Sequence, residues 1–368
     1  MTAKITAIGT ANPSYKGSQL ETAELIASGF HLKPRQRRLL KAIYQSSGIE
    51  TRYSVISDYA KAPGEFEFFP NKPEEAFPST AKRMQLYKDN ALNLSLASIE
   101  NCFNPLDSFD RKEITHLITV SCTGMYAPGI DIEIVQALDL NPAIKRTCIN
   151  FMGCYGAFNG LKVAEAFCKS DPNSNVLLVC IELCSIHFQN SFAIENIISN
   201  AIFADGAAAV LIQGQTKSSK YLSIERFYCD LLPQTNQEMA WCISDFGFDI
   251  VLSAYVPQAI KTGIAAFTEK LFKQSNSTLK NIDFFAIHPG GIKILQACEE
   301  SLNISAKDNH YSYEILRNFG NMSSATVLFV IKEIWQNLGL ADNNKNIFSC
   351  AFGPGLTLES MLLKTHFN

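Results

Sequence analysis

The chain has 368 residues, of which 47% are hydrophobic and 18% are charged. This is the composition of a well-packed globular protein and not of a disordered one. The formal net charge is -3 at pH 7, and the one basic cluster, KPRQRRLLK at 33–41, is interpreted as a solvated helix face. These values argue against nucleic acid as a partner and against a membrane-surface protein.

The N-terminal segment and the cysteines indicate a reducing compartment. The segment MTAKITAIGTANPSY has no apolar region of a signal peptide, and no run of eighteen apolar residues predicts a membrane span. The eleven cysteines are scattered without a C-x-x-C pair, which argues against a disulfide framework and against a zinc site. We therefore expect a cytoplasmic protein that binds no metal.

In the first half of the chain, the hydrophobic pattern predicts strands that alternate with helices. The strands at 116–122 and 175–183 are continuous apolar runs, which are typical of strands buried on both faces. The other predicted elements are a strand at 5–9, helices at 21–30 and 37–48, a surface loop at 58–79, a helix at 132–140, a helix after Cys154 and a strand at 205–214.

The second half repeats this order of elements. Both halves end with a related pattern, FADGAAAVLI and FGPGLTLESMLL. The repetition predicts an α/β fold of two duplicated units, 1–215 and 216–368, whose two sheets pack back to back through helices around one core. The predicted elements here are a helix at 260–275, a strand and turn at 282–291, a helix at 292–303, a turn and helix at 320–339, and a strand, turn and strand at 346–363.

Cys154 lies between glycines in NFMGCYGAFNG (150–160), directly before a stretch with helical spacing. The positive end of a helix stabilises a thiolate, and small neighbours let a substrate come close, so the setting favours a nucleophile. The alternative is a buried structural cysteine, because cysteine is among the most buried residue types.

Two further polar residues stand where strands and helices end. His288 follows an apolar strand and precedes Pro-Gly-Gly, and Asn321 lies in a turn before an apolar helix. Each has a structural alternative, as a turn histidine and as a cap, and Ser323 and Ser324 are cap candidates for the same helix. Together with Cys154, the two residues supply the thiol, imidazole and amide that acyl transfer through a thioester requires.

Five stretches make the chain recognisable: GCYGAFNGL at Cys154, IFADGAAAV at 202–210, IHPGG at 287–291, RNFGNMSSATVLFV at 317–330 and AFGPGLTLES at 351–360. In this order and spacing they resemble the type III polyketide synthases, the chalcone and stilbene synthase family, over nearly the whole chain. The resemblance implies a thiolase-like fold, with duplicated βαβαβαββ halves and a five-layered αβαβα core. It also implies a homodimer, and the departures from the plant enzymes given below argue for a bacterial-type member.

The resemblance implies a role for each matching residue. Cys154 would hold the starter and then the growing chain, while His288 and Asn321 would stabilise the carbanion left when malonyl-CoA loses carbon dioxide. Phe203 would be the aromatic gatekeeper of the cavity, although plain core packing is the alternative. The loop of Gly353, Pro354 and Gly355 would shape one cavity wall, and we place Ser323 among the substrate-binding residues. The family needs no metal or other cofactor and takes its substrates as CoA thioesters, here an acyl-CoA starter and malonyl-CoA.

The chain also departs from the plant enzymes. Leu39, Ala42 and Ser46 occupy positions where those enzymes carry basic residues for the CoA phosphates, so Arg37, Arg38, Lys41 or Arg52 are the candidate substitutes. Three further departures lie at positions that the resemblance assigns to the cavity: Ile250, Cys184 and His187. A fourth is Ala127, at the position from which the plant enzymes send a methionine into the cavity of the partner subunit. Because His187 is bulky and polar, we expect the shape of the cavity to differ from that of a chalcone synthase.

The predicted reaction is iterative decarboxylative condensation on Cys154, held as a thiolate beside an imidazolium, followed by ring closure to a pyrone, resorcinol or phloroglucinol. The nearest alternative is a ketoacyl synthase of the initiating type, which condenses once and uses an acyl carrier protein as partner. That class favours His-Gln-Ala-Asn where this chain has His288-Pro-Gly-Gly. A second alternative is an acyl-CoA binder without turnover. A papain-like hydrolase is set aside, because its cysteine stands near the mature N-terminus.

Overall fold

A computed structural model of the chain describes residues 2–106, 109–232, 238–253 and 255–367. Over these ranges the strands are β1 (Lys4–Ala11), β2 (Tyr15–Ser18), β3 (Thr51–Ser54), β4 (His116–Ser121), β5 (Lys145–Asn150), β6 (Asn175–Leu183), β7 (Asp205–Gln213), β8 (Lys220–Leu231), β9 (Met239–Ser244), β10 (Gly247–Leu252), β11 (Phe284–Ile287), β12 (Asn346–Gly353) and β13 (Thr357–Phe367).

The α-helices over the same ranges are α1 (Gln19–Gly29), α2 (Pro34–Gln45), α3 (Thr80–Phe103), α4 (Ile130–Ala137), α5 (Gly156–Ser170), α6 (Ile194–Ile202), α7 (Val256–Gln274), α8 (Ile292–Leu302), α9 (His310–Phe319) and α10 (Thr326–Asn337). Short 3-10 turns lie at Ser57–Ala60, Arg111–Glu113, Cys184–His187, Leu279–Asn281, Ser323–Ala325, Leu340–Asp342 and Pro354–Leu356.

Nine strands form one sheet, in the order β11-β12-β13-β8-β1-β7-β6-β4-β5. Its two sections repeat each other: β4 runs parallel to β6 and β7 antiparallel to both, as β11 runs parallel to β12 and β13 antiparallel to both. The sections join through the pairs Lys4–Ser223 and Ile5–Leu222, between β1 and β8. The sheet is therefore continuous, where the sequence predicted two separate sheets.

The predicted five layers are confirmed by the side chains that form the core. Helices α5 and α10 lie in the middle, in one cluster with side chains from strands of both sections, among them Ile118 and Ile347. Helix α3 packs on the outer face of the first section, and α7 and α8 pack on the outer face of the second. Because both faces of β4, β6, β7 and β12 are buried, these strands are continuous buried runs and not alternating ones.

Several elements were not predicted. They include α3, which has a capping serine and a regular apolar face, as well as α6, α9 and the hairpin of β9 and β10. The loop predicted at 58–79 is largely irregular, as expected, but its Phe66, Phe68 and Phe69 are buried. The proposed division between residues 215 and 216 remains a prediction. Among the described residues no helix combines the length and apolar character needed to cross a bilayer.

Candidate active site

Cys154 lies in a tight turn directly before α5, which agrees with the sequence prediction. The turn is closed by a hydrogen bond of 2.9 Å from the Gly156 amide to the Gly153 carbonyl. Gly153 has a φ of 80°, and a Cβ atom there would lie 2.3 Å from Cδ of Pro354. Glycine alone fits both this backbone and this contact, so the turn holds the thiol in a fixed place.

Asn321 lies beside Cys154, at the end of the turn that follows α9. Its side-chain Oδ1 and Nδ2 atoms are each 3.9 Å from the Cys154 sulfur. Oδ1 accepts a hydrogen bond of 2.9 Å from the Ser323 amide, and Nδ2 donates one of 3.3 Å to the Gly290 carbonyl. These two bonds fix the amide orientation, so that its N–H group is the donor next to the thiol.

His288 directly follows the carboxyl end of β11, and its backbone amide donates to the Cys350 carbonyl over 2.8 Å. Its side chain is 1% exposed, and neither ring nitrogen has a hydrogen-bond partner among the described residues. Buried polar atoms in proteins are nearly always hydrogen-bonded. An unpartnered imidazole in a cavity wall is therefore available to bond a ligand atom.

Burial keeps both reactive groups neutral in the unliganded site. It raises the pKa of the Cys154 thiol to about 12, against the opposing effect of hydrogen bonds from Ser323 and Asn321. It lowers the pKa of the His288 imidazole to about 3. The thiol keeps some accessible surface only because it opens on an internal cavity. The preformed thiolate–imidazolium pair that we expected is thus not favoured, since both charges would lack solvation.

The three residues line one space, here called the catalytic cavity, of about 60 Å³. The structure brings eight of the predicted site residues to its wall: Cys154, Cys184, Phe203, Ile250, His288, Asn321, Ser323 and Pro354. The remaining lining is largely apolar. Phe203 is also tied to Asn321 by backbone pairing, because the Ala204 amide donates to the Asn321 carbonyl over 2.9 Å.

Gly353 and Gly355 were predicted as cavity residues but are not among its lining. A Cβ atom at Gly353 would lie 2.5 Å from Cδ1 of Tyr155, the residue after the nucleophile. Gly355 has a φ of 73°, in the turn that reverses β12 into β13. Both glycines therefore act through backbone shape and close packing, and Pro354 between them supplies the contact with the cavity.

His187 was predicted to be a cavity residue, but it is not among the residues that line the catalytic cavity. Its Nε2 lies 2.7 Å from the Thr123 carbonyl, and its Nδ1 accepts a hydrogen bond of 2.9 Å from the Phe248 amide. The ring stacks on Phe248 at 4.2 Å. Burial lowers its pKa to about 3, so the ring is neutral, with Nε2–H as the donor. His187 faces a separate pocket of about 30 Å³ and attaches β10 to the core.

Trp241 on β9 is a cavity residue that the sequence did not indicate. Its Nε1 donates a hydrogen bond of 2.9 Å to the Cys122 carbonyl, which fixes the indole. The ring contacts Phe203 and His187, with centroids 6.5 Å and 5.8 Å apart. Trp241 also lines the small pocket that His187 faces, so it stands between that pocket and the catalytic cavity. No local pattern distinguishes such a tryptophan from a core residue.

Glu182 is a second residue that was missed, and it lies fully buried behind the site. Its carboxylate accepts hydrogen bonds from the Cys122 amide at 3.0 Å, from the Thr123 hydroxyl at 2.8 Å and from the Ser324 hydroxyl. Burial nevertheless raises its pKa to about 7. An acidic residue at the end of a continuous apolar strand was the signal that could have drawn attention to it.

The cations proposed for CoA phosphates are mostly engaged elsewhere. Arg37 and Lys41 both form ion pairs with Glu24 on α1. Arg52 is only 9% exposed, and its guanidinium donates to Gln19 and to backbone carbonyls at the carboxyl end of α6. It is therefore a structural cap and not a phosphate ligand.

Comparisons with known proteins identify the family of the chain. The model of the N-terminal domain of chalcone and stilbene synthases matches residues 1–216, and that of the C-terminal domain matches residues 224–366. The chain is 31% identical over 364 residues to the alpha-pyrone synthesis polyketide synthase-like Pks18 of Mycobacterium tuberculosis, with 98% of this chain and 90% of that protein covered. It is 28% identical to a putative chalcone synthase of Bacillus subtilis, with 97% of each covered.

Solved structures give the same result. PKS-I from the brown alga Ectocarpus siliculosus superimposes with a TM-score of 0.91 at 28% identity, covering 99% of this chain and 98% of that one. The C-terminal type III polyketide synthase domain of Steely1 from Dictyostelium gives 0.89 at 28% identity and covers both chains fully, 100% each. The single-condensation ketoacyl synthase is accordingly not favoured. The chain belongs to the chalcone and stilbene synthase family and is a type III polyketide synthase, an acyltransferase that condenses iteratively.

Proposed function

We propose that this synthase extends a short acyl starter, received as a CoA thioester and held on Cys154, with malonyl-CoA and then cyclises the product. The proposal rests chiefly on one observation. The Cys154 sulfur lies 3.9 Å from the Asn321 amide, and the same cavity holds the His288 imidazole with both nitrogens unpartnered among the described residues.

The starter is transferred by thioester exchange. The Cys154 sulfur attacks the acyl-CoA carbonyl carbon, and its proton passes to the free nitrogen of His288 as the sulfur–carbon bond forms. The carbon–sulfur bond to CoA then breaks, and the proton goes to the departing CoA thiolate. Because both groups are neutral at rest, charge separation occurs only while substrate is bound.

Extension begins with the loss of carbon dioxide from malonyl-CoA. The N–H groups of Asn321 and His288 donate to the thioester oxygen, on which negative charge develops as the enolate forms. Phe203 and the other apolar lining disfavour the charged malonyl carboxylate relative to neutral carbon dioxide. The enolate carbon attacks the carbonyl carbon of the Cys154 thioester, and the bond from that carbon to the Cys154 sulfur breaks, which frees the cysteine. The lengthened chain is then a CoA thioester and can return to the cysteine.

The size of the cavity supports a short starter. At about 60 Å³ it has room for on the order of four water molecules, which corresponds to a small acyl group. Trp241 closes the side towards the small pocket. The relative Pks18 is named for alpha-pyrone synthesis, and a pyrone is the product that a short chain of a few extensions gives on ring closure.

Product mass spectrometry tests this function directly. The protein is incubated with malonyl-CoA and acetyl-, hexanoyl-, palmitoyl- or coumaroyl-CoA, with Cys154→Ala as the control. We expect the acetyl and hexanoyl starters to yield starter plus several two-carbon units, and the variant to yield none. Products of a single extension, or products that require a carrier protein, contradict the proposal.

We also infer that the enzyme acts in the cytoplasm as a homodimer and needs no cofactor. Two features support the dimer. Strand β5 has an outer edge without a partner strand in the described part of the chain, and Met125, in the segment that follows β4, is 41% exposed. Light scattering should give twice the monomer mass of 40.7 kDa, and activity should survive dialysis against EDTA.

A further inference from the structure

The turn that carries Asn321 contains a residue in a rare backbone conformation. The turn runs from Gly320 to Ser323 and links the end of α9 to the 3-10 turn before α10. Ser323 has a φ of 47°, which lies in the left-handed region that residues with a side chain seldom adopt. Such a conformation persists only where the surrounding groups hold it in place.

The conformation of Ser323 directs its backbone amide to the catalytic residue. This amide donates the 2.9 Å hydrogen bond to Asn321 Oδ1 that fixes the orientation of the side-chain amide. The bond from Asn321 Nδ2 to the Gly290 carbonyl is longer, at 3.3 Å. A change of φ at Ser323 would turn its N–H group away from Oδ1. The Asn321 N–H group would then no longer be fixed as the donor beside the Cys154 sulfur.

Thr326, the first residue of α10, bonds this turn through its hydroxyl. The oxygen accepts a hydrogen bond of 2.8 Å from the Met322 amide, and the hydroxyl donates one of 2.9 Å to the Ser323 carbonyl. Asn321 Oδ1 is a second acceptor, 3.4 Å from the same hydroxyl. One side chain thus bonds backbone groups before and after the left-handed residue.

Nothing else in the described part of the chain replaces this hydroxyl. The Met322 amide has no other hydrogen-bond partner there, and Met322 is fully buried, so solvent does not take over the bond. Thr326 is fully buried as well and is not part of the lining of the catalytic cavity. It does not touch a substrate in the cavity, so its influence on the reaction passes through the turn.

We propose that Thr326 is a positioning residue, whose hydroxyl holds Ser323 in its left-handed conformation and thereby aims the Asn321 N–H group at the developing oxyanion. This assignment rests on the proposed function, in which Asn321 donates to the thioester oxygen as carbon dioxide leaves. A hydroxyl on Cβ can accept from the Met322 amide and donate to the Ser323 carbonyl at the same time. Serine is the only other residue type that carries one.

Decarboxylation of malonyl-CoA without a starter tests this role at the step that Asn321 serves. The carboxylate leaves as carbon dioxide, and the enolate carbon takes a proton to give acetyl-CoA, which mass spectrometry measures. We expect Thr326→Val, which keeps the side-chain shape without the hydroxyl, to lower kcat by about tenfold and to leave KM within about twofold. Thr326→Ser restores both bonds, so its kcat should lie within about threefold of the wild type.

Thr268→Val is the matched control for the loss of a buried threonine hydroxyl. Thr268 lies in α7 and is also buried, but its hydroxyl has no hydrogen-bond partner in the described ranges. Its kcat should therefore stay within about twofold of the wild type. The variants Thr326→Ser and Thr326→Ala differ by the hydroxyl alone, and they apply the same test if Thr326→Val does not fold.

A double-mutant cycle separates the positioning of Asn321 from a general loss of structure. In an Asn321→Ala background, Thr326→Val should change the decarboxylation rate by less than about twofold, because the group that it positions is already absent. A tenfold loss that persists in this background, or an unchanged kcat in the single variant, overturns the proposal. So does a Thr326→Ser protein that is as slow as Thr326→Val.

The same variants separate this role from the proposed function. A wild type that decarboxylates malonyl-CoA with this dependence on Thr326, but forms no extended product with any starter, contradicts the proposed function and leaves the role of Thr326 intact. Extended products that Thr326→Val forms as fast as the wild type support the function and overturn the role.

Discussion

The turn that carries Cys154 and the hairpin of β9 and β10 border the same cavity but are held in different ways. The Cys154 turn belongs to the duplicated core, where backbone bonds and two close-packed glycines fix it. The hairpin is a separate two-stranded sheet, attached mainly through side-chain bonds of Trp241, His187 and Thr80, together with one backbone bond from the Thr80 amide to the Asp245 carbonyl. We infer from this comparison that the core holds the catalytic residues in place, while the hairpin determines the shape and size of the substrates that the cavity accepts.

Substitutions of the catalytic residues held by the core should have the largest effect on activity. We expect Cys154→Ala to lower kcat at least about 10³-fold, because no covalent intermediate can form. Asn321→Ala should cost about 10² to 10³-fold, the usual loss of one oxyanion donor. Product formation measured with malonyl-CoA and the best starter checks both values. A Cys154→Ala protein that still extends the starter would place the acyl group elsewhere.

Glu182 should make the stability of the core depend on pH. Its pKa is raised from 4.5 to about 7 in the folded protein, so the folded state binds the proton more tightly than the unfolded state. This stabilising contribution is complete below about pH 4.5 and is lost as the pH rises through 7. Between these limits, the free energy of unfolding of the wild type should fall by about 3 kcal/mol relative to Glu182→Gln.

Urea unfolding of both proteins at pH 5 and pH 8 measures this change. The change in the free energy of unfolding between the two pH values is compared for the wild type and Glu182→Gln, so that any destabilisation by the substitution that does not depend on pH cancels. Equal pH dependence in the wild type and the variant would mean that the carboxylate stays charged throughout this range.

The protonation state of the nucleophile can be tested by alkylation. With a thiol pKa of about 12, the thiolate fraction rises tenfold per pH unit in the accessible range. The rate of Cys154 carboxamidomethylation by iodoacetamide should therefore rise about 100-fold from pH 6.5 to 8.5. Mass spectrometry of the peptide with Cys154 gives the rate, and Cys154→Ala is the blank. A rate that is high and constant over this range would indicate a thiolate–imidazolium pair at rest.

A substitution in the hairpin should change which starter the enzyme prefers and should leave the condensation reaction itself intact. Trp241→Ala should join the catalytic cavity to the small pocket beyond it and raise kcat/KM for hexanoyl-CoA relative to acetyl-CoA by about tenfold. The ratio of products in mixed-starter incubations measures this shift. Trp241→Phe is the matched control, since it keeps most of the ring, and its ratio should stay near that of the wild type. An unchanged ratio in Trp241→Ala would remove the hairpin from starter selection.

The two regions also differ in how far the sequence could predict them. Cys154, His288 and Asn321 each stand at the end of a strand or before a helix, beside or near glycine, and such local patterns are visible in the chain itself. The structure placed all three on one cavity. The alternation of apolar strands and helices likewise led to the correct layers, because strands buried on both faces have a distinctive composition.

The hairpin could not be predicted in this way. Its strands are short and partly exposed, so no periodicity marks them, and a contact such as Trp241 to Cys122 joins residues far apart in the chain. His187 was assigned wrongly for a related reason, since composition does not say which side of a turn a side chain faces. Arg52 was a candidate phosphate ligand because the sequence does not show that it is buried. Its burial results from contacts with the end of α6, which is far away in the chain.

The contact between Gly153 and Pro354 also bears on how the two halves can diverge in evolution. The nucleophile turn of the first half touches the β12–β13 turn of the second, with no space for even one methyl group between them. Neither turn can therefore lengthen or gain a side chain unless the other changes with it. Once a gene duplication had brought the halves together, this site could acquire new substrates only through segments outside the contact, and the β9–β10 hairpin is such a segment.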